Sequence, residues 1–356
     1  MKKSPLIIIA VVAIALFAYS QRATVLSALA DRVLQARMGA DAIVELKDGL
    51  HLALCGAGSP MGAPDYSGPC VAVVAGERLF IVDAGTNGRR NLNRMNYGPG
   101  GIEAVFLTHF HSDHIDGLGE MSVSRWAGGD FLGPLPVYGP EGVERVVNGF
   151  NEAYALDVIY RHAHHGDLVT PVASAGMQAM RFATPAEGEL VTVYNDGGLI
   201  VEALLVDHSP IKPAVAYRFS YKGRSILISG DTVKSANLQK FAEGVDILVH
   251  EALGMKITAM MQAASERNGN TTGAKIMHDI QDYHTSPVEA AEIARDAHVG
   301  HLLYYHIVPP LMIPGQKALF LDGAEDIFPD YTIGVDGVAF SLPANSDEII
   351  QTRKGL

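Results

Sequence analysis

The sequence predicts an α/β domain of two packed mixed sheets with helices outside. Three observations carry that expectation. Short apolar, β-branched runs alternate with helical segments from residue 50 onward, as in "IEAVFLT", "GLIVEALLVDH", "VDILVHEA" and "HLLYYH". The chain has 37 glycines for tight turns, and 48% of its 356 residues are hydrophobic, enough for one sizeable core. Strand after strand stops on a histidine or an aspartate, the arrangement in which rigid strands present a polar site from the loops at their ends.

Taken in order, residues 1–20 read as an export signal or an N-terminal membrane anchor. Lys2 and Lys3 precede an apolar run from Leu6 to Tyr19 that lacks any helical polar stripe. The body is then expected outside the cytoplasm, in a periplasm or at a cell surface, with the segment cleaved or kept as an inner-membrane tether. Residues 21–48 read as a helical connector, 49–345 as the folded domain and 346–356 as a tail. "LHLALCGAGSP" is a strand entering a glycine turn, and "CVAVVAGERLFIVDAG" is a hairpin about Gly76 that ends on Asp83. Cys55 and Cys70 are the only cysteines; a disulfide closing a short loop and two buried thiols both fit them. "VAYRFSYKGRSILISGD" is a hairpin turning at Lys222-Gly223 and ending on Asp231. In "SPVEAAEIARDAHV" Ser286 caps a helix, Pro287 takes its first turn and Glu289 completes a capping box. The Met-rich "MKITAMMQAASER" reads as an amphipathic helix packed on the core.

The stretch "THFHSDH" places His109, His111, Asp113 and His114 in one short turn after a buried strand. His109 and His111 are two apart, so on extended backbone they point the same way. Asp113 and His114 follow at a helix start, and His208, Asp231 and His306 end later strands. Such a density of nitrogen and carboxylate donors points to metal. The formal net charge of −12, from 39 acids against 27 bases, is a poor footprint for nucleic acid. It leaves room for a small anionic substrate, because a cation supplies positive charge locally.

"THFHSDH" fits an HxHxDH signature, and "VDHSPIKPAVAYRF", "SGDT", "VHEA", "HTSPVEAAEIA" and "YYH" follow in order. From about Leu50 to about Pro343 the chain resembles the metallo-β-lactamase superfamily, in the branch of ribonuclease Z and the arylsulfatase-type hydrolases. The resemblance implies a four-layer αββα fold. It implies that His109, His111 and His208 hold one ion, that Asp113, His114 and His306 hold another, and that Asp231 bridges them. Mixed nitrogen and oxygen ligation suits two zinc ions per chain, and manganese or iron would accept the same donors. The catalytic set it implies is His250 as proton donor, Glu251 as the partner that tunes it, and Asp113 at the ions. Asp83 and Asp116 are expected to hold the ligand loop by hydrogen bonds rather than to bind metal, and His284 to do the same or to be structural. His162, His164 and His165 read as loop decoration, and His51, His278, His298 and His301 as ordinary surface or core residues.

Two features separate the chain from ribonuclease Z. The interval from His208 to Asp231 holds one hairpin, with no room for the arm that grips transfer RNA, and "HIVPP" replaces the branch's serine-arginine-tyrosine continuation. The expectation is therefore an exported dinuclear zinc hydrolase in which activated water attacks a small phosphodiester or aryl sulfate ester. Its expected partners are that small anionic ester and a membrane reached through the N-terminus, without nucleic acid, and a homodimer is the assembly common in the branch. The alternatives are a β-lactam or lactone hydrolase on the same ions, a ribonuclease Z-type transfer-RNA 3′ endonuclease, and a metal-binding or sensory module without turnover. The complete donor set speaks against the last.

Overall fold

The computed structural model describes residues 5–38, 40–64 and 66–356, with the backbone alone for 5–16. Lys2 and Lys3 of the expected leader lie outside the described residues. The chain divides into two units, Met1–Ala42 and Ile43–Leu356. The first is one continuous helix, α1 (Pro5–Met38), which takes in both the apolar run and most of the expected connector. Among the described residues no helix is long and apolar enough to cross a membrane.

The second unit begins with β1 (Gly49–Gly56), β2 (Cys70–Ala75), β3 (Arg78–Val82), α2 (Gly88–Arg94), β4 (Ile102–Phe106) and α3 (Ser112–Ile115). There follow α4 (Leu118–Gly128), β5 (Leu135–Gly139), α5 (Val143–His165), β6 (Met177–Arg181), β7 (Val191–Asp196) and β8 (Leu199–Leu205). Next come β9 (Val215–Tyr221), β10 (Arg224–Ile228), α6 (Ala236–Phe241), β11 (Ile247–Leu253), α7 (Met255–Arg267) and α8 (Thr271–Asp279). The chain closes with α9 (Pro287–Asp296), β12 (His301–Val308), α10 (Gln316–Leu321), β13 (Tyr331–Ile333), β14 (Val338–Pro343) and β15 (Ile350–Arg353).

The strands form two mixed sheets, ordered β15-β14-β1-β2-β3-β4-β5-β6 and β13-β12-β11-β10-β9-β8-β7. This is the expected α/β architecture. In each sheet antiparallel hairpins hand over to parallel strands, at β3–β4 in one and β10–β11 in the other. Strands β1, β2 and β11 are buried along their whole length, which is why they read as unbroken apolar runs rather than alternating ones. Between the sheets Phe106 meets Tyr217 and Phe219 edge-on, with ring centroids 5.4 and 5.5 Å apart. The segment expected as a C-terminal tail contributes β15, an exposed strand paired antiparallel with β14.

Cys55 and Cys70 are bonded, so the disulfide alternative holds, and the bridge closes the neck of the loop 57–69. The buried carboxylate of Asp336 ties that loop down, accepting from the Ala57 and Ser67 amides and from Asn91 Nδ2 at 2.9 Å each. At Gly85 a Cβ would meet the Asp113 carbonyl at 2.5 Å, so only glycine lets the β3 end lie against the ligand turn.

Candidate active site

Most of the donors sit just past the end of a strand, and the rest lie on a short helix or at a break in strand register. His109 and His111 lie on the extended segment after β4, and Asp113 and His114 on α3. His208 follows β8 and Asp231 follows β10. His306 lies within β12, where its register with β11 slips, and its φ of +43° is a left-handed value that few non-glycine residues adopt. Asp83, after β3, has φ +57°. Two strained backbones at one site are what a structure tolerates where side chains must be aimed.

The donors converge as two groups: His109, His111, His208 and Asp231, and Asp113, His114 and His306. His109 Nε2 lies 3.0 Å from His111 Nδ1, and His208 Nε2 lies 3.4 Å from the same atom. Asp231 Oδ2 is 3.7 Å from His109 and His208, 3.4 Å from His114 and 3.6 Å from His306, so one carboxylate faces both groups. His306 Nε2 lies 3.3 Å from Asp113 Oδ2. A tetrahedral zinc ion about 2.1 Å from each donor separates neighbouring donors by about 3.4 Å, and these edges match that spacing. The far ring nitrogens are also fixed. His114 Nδ1 donates to Asp83 at 2.8 Å and His208 Nδ1 donates to the Tyr283 carbonyl at 2.9 Å, which turns each Nε2 lone pair inward. His114 Nε2 and Asp231 Oδ1 are buried with no hydrogen-bond partner, as cation-seeking donors are.

The charges fit the same purpose. Burial, reinforced by His114, holds His109 well below the usual imidazole range, so it is neutral and can donate a lone pair. Burial opposes ionisation of Asp231, yet His306 and His114 beside it hold its carboxyl well below the usual range.

Beside the donors lies a cavity of about 290 Å³ bordered by His111, Asp113, Asp231, His284 and His306. A larger groove of about 630 Å³ near Glu141 and Lys234 contains none of the donors, so the chemistry selects the smaller one.

The expected proton donor is corrected. Neighbours on a strand face opposite ways, and on β11 it is Glu251 that faces the site. His250 points to the other side: it is fully buried, its Nδ1 is 2.8 Å from the Glu251 carbonyl, and burial pushes its pKa down. A buried neutral imidazole away from the cavity has no proton to give there. His284 is the histidine that meets Glu251 at the cavity, with Nδ1 3.1 Å from Glu251 Oε1. That carboxylate oxygen also accepts from the Thr232 and Thr285 amides at 3.2 and 3.0 Å. Burial disfavours the charged imidazole, but Glu251 and Asp231 overcome it and raise His284 to about 8.

Asp83 behaves as expected, accepting from Thr108 N and Oγ1 at 2.9 and 2.8 Å as well as from His114. Asp116 does not. It is exposed and accepts from Thr86 Oγ1 at 3.4 Å, because the turn of α3 that buries Asp113 and His114 carries it outward. His164 and His165 are exposed at the end of α5, as decoration. Thr108 and α8 are functional features that the sequence reading passed over; the cue for α8 was Asn270, which caps it.

Residues 78–307 match the family model described as "Beta-lactamase superfamily domain". The chain belongs to the metallo-β-lactamase superfamily. It is a metal-dependent hydrolase, and relatives named ribonuclease Z stand among its curated matches. It is 35% identical over 274 residues to "Ribonuclease Z" of Mycobacterium bovis (strain BCG / Pasteur 1173P2), covering 75% of this chain and 89% of the relative. With "Ribonuclease Z" of Mycolicibacterium gilvum (strain PYR-GCK) it shares 35% over 273 residues, 75% of this chain and 87% of the relative. The fold matches human tRNase Z, short form, with a TM-score of 0.58 at 19% identity, over 82% of this chain and 99% of that one. The metallo-β-lactamase fold protein YhfI from Bacillus subtilis gives the same TM-score at 18% identity, over 82% of this chain and 99% of that one.

These relatives overturn the expected substrate. A small phosphodiester or aryl sulfate ester, with nucleic acid set aside, does not agree with superfamily relatives that are ribonucleases. Neither the net charge nor the missing arm excludes RNA. Net charge is a sum over the whole surface, whereas fields in water are screened within about 8–10 Å, so −12 does not describe the site. The missing arm in the β9–β10 interval removes one handle, while a divalent ion held by the donor groups would supply local positive charge for a phosphate to meet.

Proposed function

We propose that this chain is a ribonuclease Z-type endonuclease that hydrolyses phosphodiester bonds of RNA, transfer-RNA precursors being the first substrate class to try. The observation that carries this reading is the 35% identity with ribonuclease Z over three quarters of the chain, together with a double donor cluster that falls inside the family match over residues 78–307. His109, His111 and His208 would hold one divalent ion, Asp113, His114 and His306 a second, with Asp231 facing both; zinc fits the donor set. Divalent cations there supply Lewis acidity, drawing the pKa of water toward neutrality and offsetting charge on a phosphoryl oxygen. Glu251 fixes the His284 ring through Nδ1, leaving Nε2 as the atom that delivers a proton to the departing oxygen. Thr232 and Thr285 hold Glu251 in place for that task.

The test is incubation of zinc- or manganese-loaded protein with an end-labelled transfer-RNA precursor bearing a 3′ trailer, with and without chelator. Trailer release that chelator abolishes is the expected result. Intact precursor after exposure to metal-replete protein would overturn the reading.

We also propose that the body works outside the cytoplasm. Lys2 and Lys3 ahead of the apolar run support this, as does the Cys55–Cys70 bond, which oxidising compartments preserve. Fractionation of cells expressing the full chain checks it, and recovery in the cytosol as reduced protein would count against it.

A further inference from the structure

One wall of the cavity beside the donor clusters has no part in the chemistry above. Besides the donors, Met61, Ile276, Met277 and Ile280 border the cavity. Among the described residues that border the cavity there is no lysine or arginine. Ile276 is 50% exposed, so an apolar side chain stands at the mouth of a site that must admit a phosphate. A lone exposed apolar residue is ordinary. Here four converge on one cavity from two separate elements, the loop 57–69 and the α8 end.

The wall and the proton donor are continuous along the chain. Ile276 and Ile280 are one helical turn apart, and Tyr283 and His284 follow directly. An oxygen that leaves by taking a proton from His284 therefore brings its substituent against this wall. In RNA that substituent is a nucleoside, whose ribose is polar and whose base presents flat faces with little need for hydrogen bonds.

We propose that the wall formed by Met61, Ile276, Met277 and Ile280 seats the nucleobase of the nucleotide whose oxygen departs. The proposal rests on the ribonuclease reading. The wall offers side-chain surface and no donors or acceptors beyond a thioether, so it accepts any base by face contact and discriminates against a missing one. It is a specificity surface that acts through substrate binding.

The test uses two short RNAs, identical except that one lacks the base on the 5′ side of the cleaved bond, with the metal-loaded full chain. Apolar contact with one base face predicts a KM about five- to tenfold higher for the abasic RNA, with kcat little changed. In Ile276→Ala, and separately in Met61→Ala on the other element, the ratio of the two KM values falls toward one. A 2-aminopurine at the same position, bound to uncleaving His284→Ala protein, changes its fluorescence, and Ile276→Ala added to that background diminishes the change. Equal KM values for the two RNAs overturn the proposal while leaving the ribonuclease reading intact. A base-dependent KM that survives both substitutions overturns the wall as its seat. Failure to cleave either RNA overturns the ribonuclease reading and this assignment together.

Discussion

His284 carries the most direct prediction among single side chains. Its replacement by alanine is expected to lower kcat about 100-fold or more while leaving bound metal unchanged, measured by RNA cleavage and elemental analysis. Loss of metal in that variant would instead make His284 a ligand. In metal-free protein its pKa is raised from 6.5 to about 8, so the pair with Glu251 stabilises the fold fully below pH 6.5 and ceases to do so as pH rises through about 8. The stability gap between wild type and His284→Gln should accordingly shrink between pH 6 and pH 9; a constant gap refutes the pairing. Asp83→Asn replaces one of the two oxygens that accept from His114 and Thr108 with an NH2 donor, and metal affinity is expected to weaken about 10- to 100-fold in a competition titration. The seven donors were legible because ligands must stand at strand ends, where the sequence shows them. The proton donor was not, because adjacent residues of β11 face opposite ways and "HE" does not say which one faces the site.

The loop 57–69 and helix α9 are the elements whose loss is most readily measured. Removing the bridge in a Cys55→Ser, Cys70→Ser variant should cost about 3 kcal/mol, since the closed loop is short, read as a lower urea midpoint. It should also raise KM, because the loop brings Met61 to the cavity, and an unchanged KM would detach the loop from substrate binding. At α9 the capping box forms as the sequence predicts, with the Glu289 amide donating to Ser286 Oγ at 3.2 Å and the Ser286 amide donating to Glu289 Oε2 at 2.9 Å. Elements with a strong local signal, such as β1, β11 and α9, were readable in advance. Helix α8 and strand β15 were not: one is a short helix with a narrow buried stripe, the other an exposed edge strand that only pairing with β14 defines.

At the scale of the whole molecule, the two donor groups draw on both sheets: β4 and α3 of one supply His109 to His114, and the ends of β8 and β10 together with β12 of the other supply the rest. Chelation should therefore loosen the packed pair. If the free ion stands at 100 times its dissociation constant, its removal costs about 2.7 kcal/mol, a drop in Tm of several degrees. A melting curve indifferent to chelator would mean that no ion is held there. Bulk charge misled the substrate expectation at this same scale, since a sum over the surface is blind to what stands at the strand ends. The shared site also sets an order of events in the life of the molecule. A nascent chain carries the donors of one group once Asp231 has been made, but those of the other only after His306 has followed. A copy cut short between the two can therefore offer a single seat at most, and the paired site is completed only near the end of synthesis.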